Sequence, residues 1–294
     1  MTTLDTPAVA TESTPPNGLI TWLTPEVSER ALTIWRVWTG VVLAVYLIVR
    51  VRPLTSFVGA WRPVGVLRPI AEPLPMSALW LLWALSLGAA LHFVRPIGSE
   101  TATRWVRALG VPALVILLTH RSSGGQILWF DILPALHVVA LWLAGGRFDA
   151  IRAGWAMRMA SLMTAITYVL AGIAKLRIGG TAWITNGALE RQITWSATRF
   201  DVLGGTPSPL AAPLVDLGLA SAPLALAVIV IELGAPIALV NRRLALGWSI
   251  AAWAMHAVIA ATLFVVFHWP LFGVAFAPLV LLAGSANSSA SRRS

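Results

Sequence analysis

The chain has 294 residues, of which 57% are hydrophobic and only 11% charged, with a formal net charge of +9 and a mean hydropathy of +0.79. These values exclude an ordinary soluble globular fold and point to an all-α integral membrane protein. Cysteine is absent, which rules out disulfides, thiolate metal sites and CxxC redox chemistry.

In chain order, residues 1–30 are rich in Thr, Pro and acidic side chains and read as a disordered tail, with Thr24-Pro25-Glu26 offering a helix start. Residues 31–284 read as one membrane domain, a polytopic bundle of about eight transmembrane helices, and 285–294 as a second disordered tail. The eight apolar stretches cover about 32–50, 76–94, 105–120, 127–144, 156–176, 219–240, 246–266 and 269–284. Each approaches the ~20 residues that cross a hydrocarbon core of about 30 Å. Pro112, Pro270 and Pro278 weaken the third and eighth. Two long connectors, 51–75 and 177–218, combine Trp and Arg and read as interfacial or partly re-entrant.

Of the 21 basic side chains, 20 are arginines spread singly or in pairs over the loops. That pattern indicates topology and lipid-headgroup contact, not nucleic-acid binding. An inside N-terminus puts ten loop arginines on the cytoplasmic side, Arg107 among them. The outer side receives eight, all but Arg121 in or beside the long connectors, which weigh less. A multi-pass protein of the cell membrane with both termini cytoplasmic is the expectation.

Lys175 is the single lysine and lies near the end of the fifth span. Arg158, Ser161, Ala165, Tyr168, Gly172 and Lys175 recur at alternating three- and four-residue spacing, so they share one helical face. Leu162, Met163, Ile166, Val169, Leu170 and Ile173 form the opposite surface, as expected where small and polar residues face a bundle and aliphatics face lipid. The 17 residues from Arg158 to Lys175 rise roughly 25 Å, placing the two charges near opposite interfaces. Snorkelling explains both charges. Against it, arginine would serve as well, and lysine is the cation that loses its proton readily when desolvated, so Lys175 is the candidate base.

Other polar positions stand within the spans. Arg36 precedes Gly40 in the first, Asp131 and His137 flank Pro134 in the fourth, Glu232 precedes Pro236 in the sixth, and His256 is central in the seventh. Glu232 reads as a partner for a buried cation, as a protonated hydrogen-bond donor, or as a group with a direct chemical role. His256 reads as a packing residue or a proton-tuning group. No HxxxH or HExxH pair occurs, so no metal site is expected, and neither a phosphate-cradling glycine loop nor a nucleophile elbow is present.

Within this pattern, GIAKL followed by TAWITNGA, after Arg158 and Tyr168, resembles the HTTM domain, the membrane module shared by vitamin K-dependent gamma-carboxylase and many bacterial proteins. Arg36 with Gly40, Glu232-Leu233 and Met255-His256 before FHWPLFG follow in the order of that family, so the resemblance covers about residues 30–284. It implies that Lys175 is the base that deprotonates a reduced quinone. In the carboxylase, oxygenation of that quinol then yields a strong base that removes a proton from substrate glutamate, and the carbanion takes up carbon dioxide. By the same resemblance Glu232 and His256 join Lys175 as catalytic candidates, and Tyr168, Gly172, Trp183, Gly187, Arg158 and Arg36 are candidates for binding substrate.

The chain departs from the family at several points. Ala174-Lys175 stands where the carboxylase has two lysines, and Gln126, or His120 at some distance, stands where it has a histidine in the fourth span. The carboxylase's large non-membrane domain has no counterpart after the eighth span, so peptide gamma-carboxylation is not expected. Two readings follow: a carboxylase-like or quinol-oxidising membrane enzyme acting on a hydroquinone or another lipid-soluble substrate, and a non-catalytic scaffold or subunit holding a membrane-protein partner. A transporter fits less well, since neither repeated halves nor a chain of midplane charges is visible.

Overall fold

A computed structural model describes residues 18–51, 61–95, 99–124, 129–145, 148–216 and 221–282, residues 129–131 by their backbone alone. Most of the expected N-terminal tail, the C-terminal tail, Gln126 and the side chain of Asp131 therefore lie outside the described residues. The described chain is mostly helical, and no strand occurs among the described residues.

The N-terminal part departs from expectation. Residues Gly18–Leu23, expected within the tail, form the short helix α1. Helix α2 (Glu29–Arg50) starts not at Thr24-Pro25-Glu26 but at Ser28, whose hydroxyl caps the Ala31 amide at 3.2 Å. A serine N-cap satisfies a helix donor that proline cannot. Between the two helices the chain passes so close to Gly154 that a Cβ there would lie 1.5 Å from the Pro25 carbonyl oxygen.

Helices α3 (Met76–Val94) and α4 (Glu100–Ser123) follow, then α5 (Trp129–Leu143) and α6 (Ala150–Gly179). Close approach of α2, α3 and α4 depends on glycine: a Cβ on Gly40 would come within 2.7 Å of the Ala90 carbonyl oxygen, and one on Gly110 within 2.4 Å of Ala89 Cβ. Small residues at the contact let membrane helices gain van der Waals packing and interhelical hydrogen bonds where no hydrophobic force separates helix from lipid. Residues 61–75 lie against the end of α4, where Ser123 accepts hydrogen bonds from Arg62 N at its carbonyl and from Val64 N at its hydroxyl.

The connector after α6 forms α7 (Ala182–Thr185), α8 (Ala188–Val202) and α9 (Ala211–Asp216). It is tied to the end of α11 (Arg242–Leu263) by Ser196 Oγ to the Leu263 carbonyl (2.7 Å) and Ser208 Oγ to the Ala261 carbonyl (2.6 Å). Helix α10 (Ala222–Leu233) ends ahead of Pro236 and continues as a 3-10 turn over Ala235–Leu239. Proline disfavours α geometry in the residue before it, which accounts for the break.

Five helices, α2, α3, α4, α6 and α11, are long and apolar enough to cross a membrane; the apolar stretches Ile132–Leu143 and Ala222–Leu233 are shorter. Among the described residues, five helices thus reach the length of a span where about eight were expected, and the eighth expected span is broken for a visible reason. Residues 268–282 form α12 (His268–Leu271), a turn with Gly273 at φ 74°, and a short helix over 277–282. Trp269, Phe276 and Leu279 are buried. Non-helical backbone among membrane helices needs partners from its neighbours. Three residues from the middles of other helices supply them: Trp38 Nε1 donates to the Phe272 carbonyl (2.8 Å), Trp253 Nε1 to the Leu271 carbonyl (2.9 Å) and Thr164 Oγ1 to the Ala275 carbonyl (3.0 Å).

Candidate functional site

The face read from the fifth span holds in α6. Ser161, Ala165, Tyr168 and Gly172 are buried, whereas Ile166, Leu170 and Ile173 are about half exposed. Gly172 sets the distance to α10, because a Cβ there would meet Leu233 Cδ2 at 2.8 Å and Glu232 Cβ at 3.2 Å. This close approach brings the ends of Lys175 and Glu232 together.

Lys175 Nζ and Glu232 Oε1 stand 2.5 Å apart. The Lys175 side chain is 28% exposed and that of Glu232 only 7%. The candidate base is therefore held in a charge-assisted contact with a carboxylate. Of the sequence alternatives for Glu232, the partner for a buried cation is the one observed. Trp183 of α7 places its ring centroid 5.7 Å from Nζ, within cation–π range of the amine.

Two helical turns below Lys175, the Tyr168 hydroxyl and His256 Nε2 are 2.7 Å apart. Tyr168 also packs edge-on to Trp248 at 5.0 Å, and Trp248 Nε1 donates to the Ile231 carbonyl (2.9 Å) beside the break in α10. Glu232 lies within electrostatic reach of Tyr168, and Lys175 within reach of His256. Three buried polar atoms of this cluster lack a hydrogen-bond partner: Glu232 Oε2, His256 Nδ1 and Ser249 Oγ. Such atoms are costly in a low-dielectric interior unless a water or ligand reaches them.

The other candidates are dispersed. Gly187 adopts φ 67° ahead of α8, a left-handed conformation that glycine takes without strain. Nearby, Ser221 bonds to Glu190 and ties α8 to the start of α10. Arg158 sits in the N-terminal third of α6, two turns inside its start, where its Nε donates to the Trp22 carbonyl (3.0 Å) and its guanidinium lies 4.3 Å from the Trp22 ring centroid. Arg36 lines a cavity with Arg107 between α2, α4 and α5. The structure thus joins Lys175, Glu232, Tyr168, His256 and Trp183, uses Gly172 for packing and Gly187 for a turn, and leaves Arg158 and Arg36 apart.

Ser249 was read from the sequence as sharing the His256 face, whereas Trp248 was not singled out, because its contact with Tyr168 depends on the apposition of α6 and α11. Among the described residues, no group of three or more His, Asp or Glu side chains is arranged to hold a metal ion. The chain matches no protein-family model, no curated protein and no solved structure.

Proposed function

We propose that this protein is a multi-pass membrane enzyme of HTTM type, both termini cytoplasmic, in which Lys175 takes a proton from the hydroxyl of a lipid-soluble hydroquinone. The observation that carries the reading is the 2.5 Å Lys175–Glu232 pair set beside buried polar atoms without partners. In a low-dielectric site, transfer of the ammonium proton to Glu232 gives a neutral amine and a neutral carboxyl. The amine then accepts the quinol proton, leaving an ammonium, a protonated Glu232 and a quinolate, so protons and charge balance. Tyr168 and His256 hold a second proton within the same cluster, and Trp183 supplies a flat apolar face for a ring.

A quinolate reacts with dioxygen faster than its quinol, which makes oxygen uptake the test. Wild-type protein in liposomes is expected to accelerate oxygen consumption by a reduced naphthoquinone, and Lys175→Arg and Glu232→Gln to lose at least about a hundredfold, the usual scale for removing a general base. Arginine keeps the charge but stays protonated. Uptake retained by Lys175→Arg but lost in Glu232→Gln would move the base to Glu232.

One observation favours a second reading, a non-catalytic membrane scaffold: the ion pair already neutralises the lysine. Equal oxygen uptake by wild type and both variants would establish it over the enzyme.

A further inference from the structure

At the end of the bundle opposite Lys175, two arginines converge on a polar cavity of about 70 Å³. Arg107 of α4 is 4% exposed, donates one hydrogen bond to the Gly145 carbonyl (3.0 Å) and stacks 5.2 Å from the Phe93 ring centroid, while its Nε has no partner. Arg36 of α2 is half-buried, and its Nε is likewise buried and unpartnered. Each guanidinium lies within the other's electrostatic reach, as does buried His92 of α3. The one carboxylate among the residues lining the cavity is Glu29, which is exposed at the N-terminus of α2.

Two cations facing one cavity, one of them almost fully buried, repel each other and bear a large desolvation cost. Arginine at such a site is suited to an anion that accepts two parallel N–H bonds. Thr33 supplies a further hydroxyl on the cavity wall. The volume suits one tetrahedral anion and excludes a nucleotide. Around the opening, Arg104 is paired with Glu100 and Arg152 with Asp149, whereas Glu29 is the carboxylate within electrostatic reach of Arg36 and the Nε of each cavity arginine has no hydrogen-bond partner.

We propose that Arg36 and Arg107 form a binding site for a phosphate group, which an anionic lipid headgroup or free phosphate would fill. The proposal is independent of any chemistry at Lys175. Full-length protein is placed in phosphatidylcholine nanodiscs, and melting is followed as phosphatidylglycerol replaces part of the lipid, or as inorganic phosphate is added. Phosphatidylglycerol is expected to raise the melting temperature of wild type, and Arg36→Gln to weaken its apparent affinity about tenfold. Arg107→Lys, which keeps the charge but loses the fork, is expected to weaken it similarly and guards against misfolding of a neutral variant. Arg104→Gln, at an exposed ion pair, is expected to have no effect. A response to inorganic phosphate that Arg36→Gln abolishes supports the site and assigns it to free phosphate; a response to the lipid alone assigns it to a headgroup. Equal stabilisation of wild type, Arg36→Gln and Arg107→Lys, or no response to either probe, overturns the proposal.

Discussion

Lys175→Met is expected to destabilise the protein by about 3 kcal/mol, because it leaves the Glu232 carboxylate, with 7% of its side chain exposed, facing a vacated cation site. The figure is the lower end of the range for a broken buried pair, since the 28% exposure of Lys175 shows that the contact is only partly desolvated. Glu232→Gln should cost less: the orphaned ammonium has a long aliphatic stem and can swing toward the headgroups. Removing both charges in Lys175→Met/Glu232→Met should restore most of the loss, as buried pairs replaced by apolar side chains are often neutral. Thermal melting in one detergent, read as a double-mutant cycle, measures the coupling. A single Lys175→Met variant as stable as wild type would mean that the pair does not form.

The second large effect falls on the seam between α3 and α4. A Cβ on Gly110 would lie 2.4 Å from Ala89 Cβ and 2.6 Å from the Leu85 carbonyl oxygen, so Gly110→Leu must push the two helices apart. Overpacking of this kind costs about 1–3 kcal/mol, occasionally more. Gly88 provides the matched comparison: it lies on α3, and a Cβ there meets nothing within 4 Å. Gly88→Leu should therefore melt near the wild type while Gly110→Leu melts well below it. Equal melting of the two variants would contradict the glycine-mediated approach.

What could be read from the sequence follows from which interactions are local. The five long helices all fall on stretches read as spans from their apolar length, although α4 extends well beyond the 105–120 run that Pro112 weakened. The face of α6 was equally readable, because its pattern repeats at three and four residues within one helix. Residues 268–282 were not, since their backbone is satisfied by Trp38, Thr164 and Trp253 from three distant helices. Tyr168 and His256 were both visible as polar residues in spans, but their 2.7 Å contact depends on how α6 meets α11. Arg107 was counted among loop charges because it stands near a helix start, yet the start of α4 at Glu100 sets it two turns inside. Burial then follows from its position against Phe93 and Gly145.

The proposed function requires the Lys175 amine, in exchange with Glu232, to accept a proton from a lipid-soluble hydroquinone. The most direct measurement is the absorbance of a reduced naphthoquinone titrated without oxygen into wild type and Lys175→Arg. The red-shifted band of the quinolate with wild type, and the quinol spectrum alone with Lys175→Arg, is the predicted result. A quinol spectrum with both proteins, or a quinolate band of equal strength with both, would contradict it.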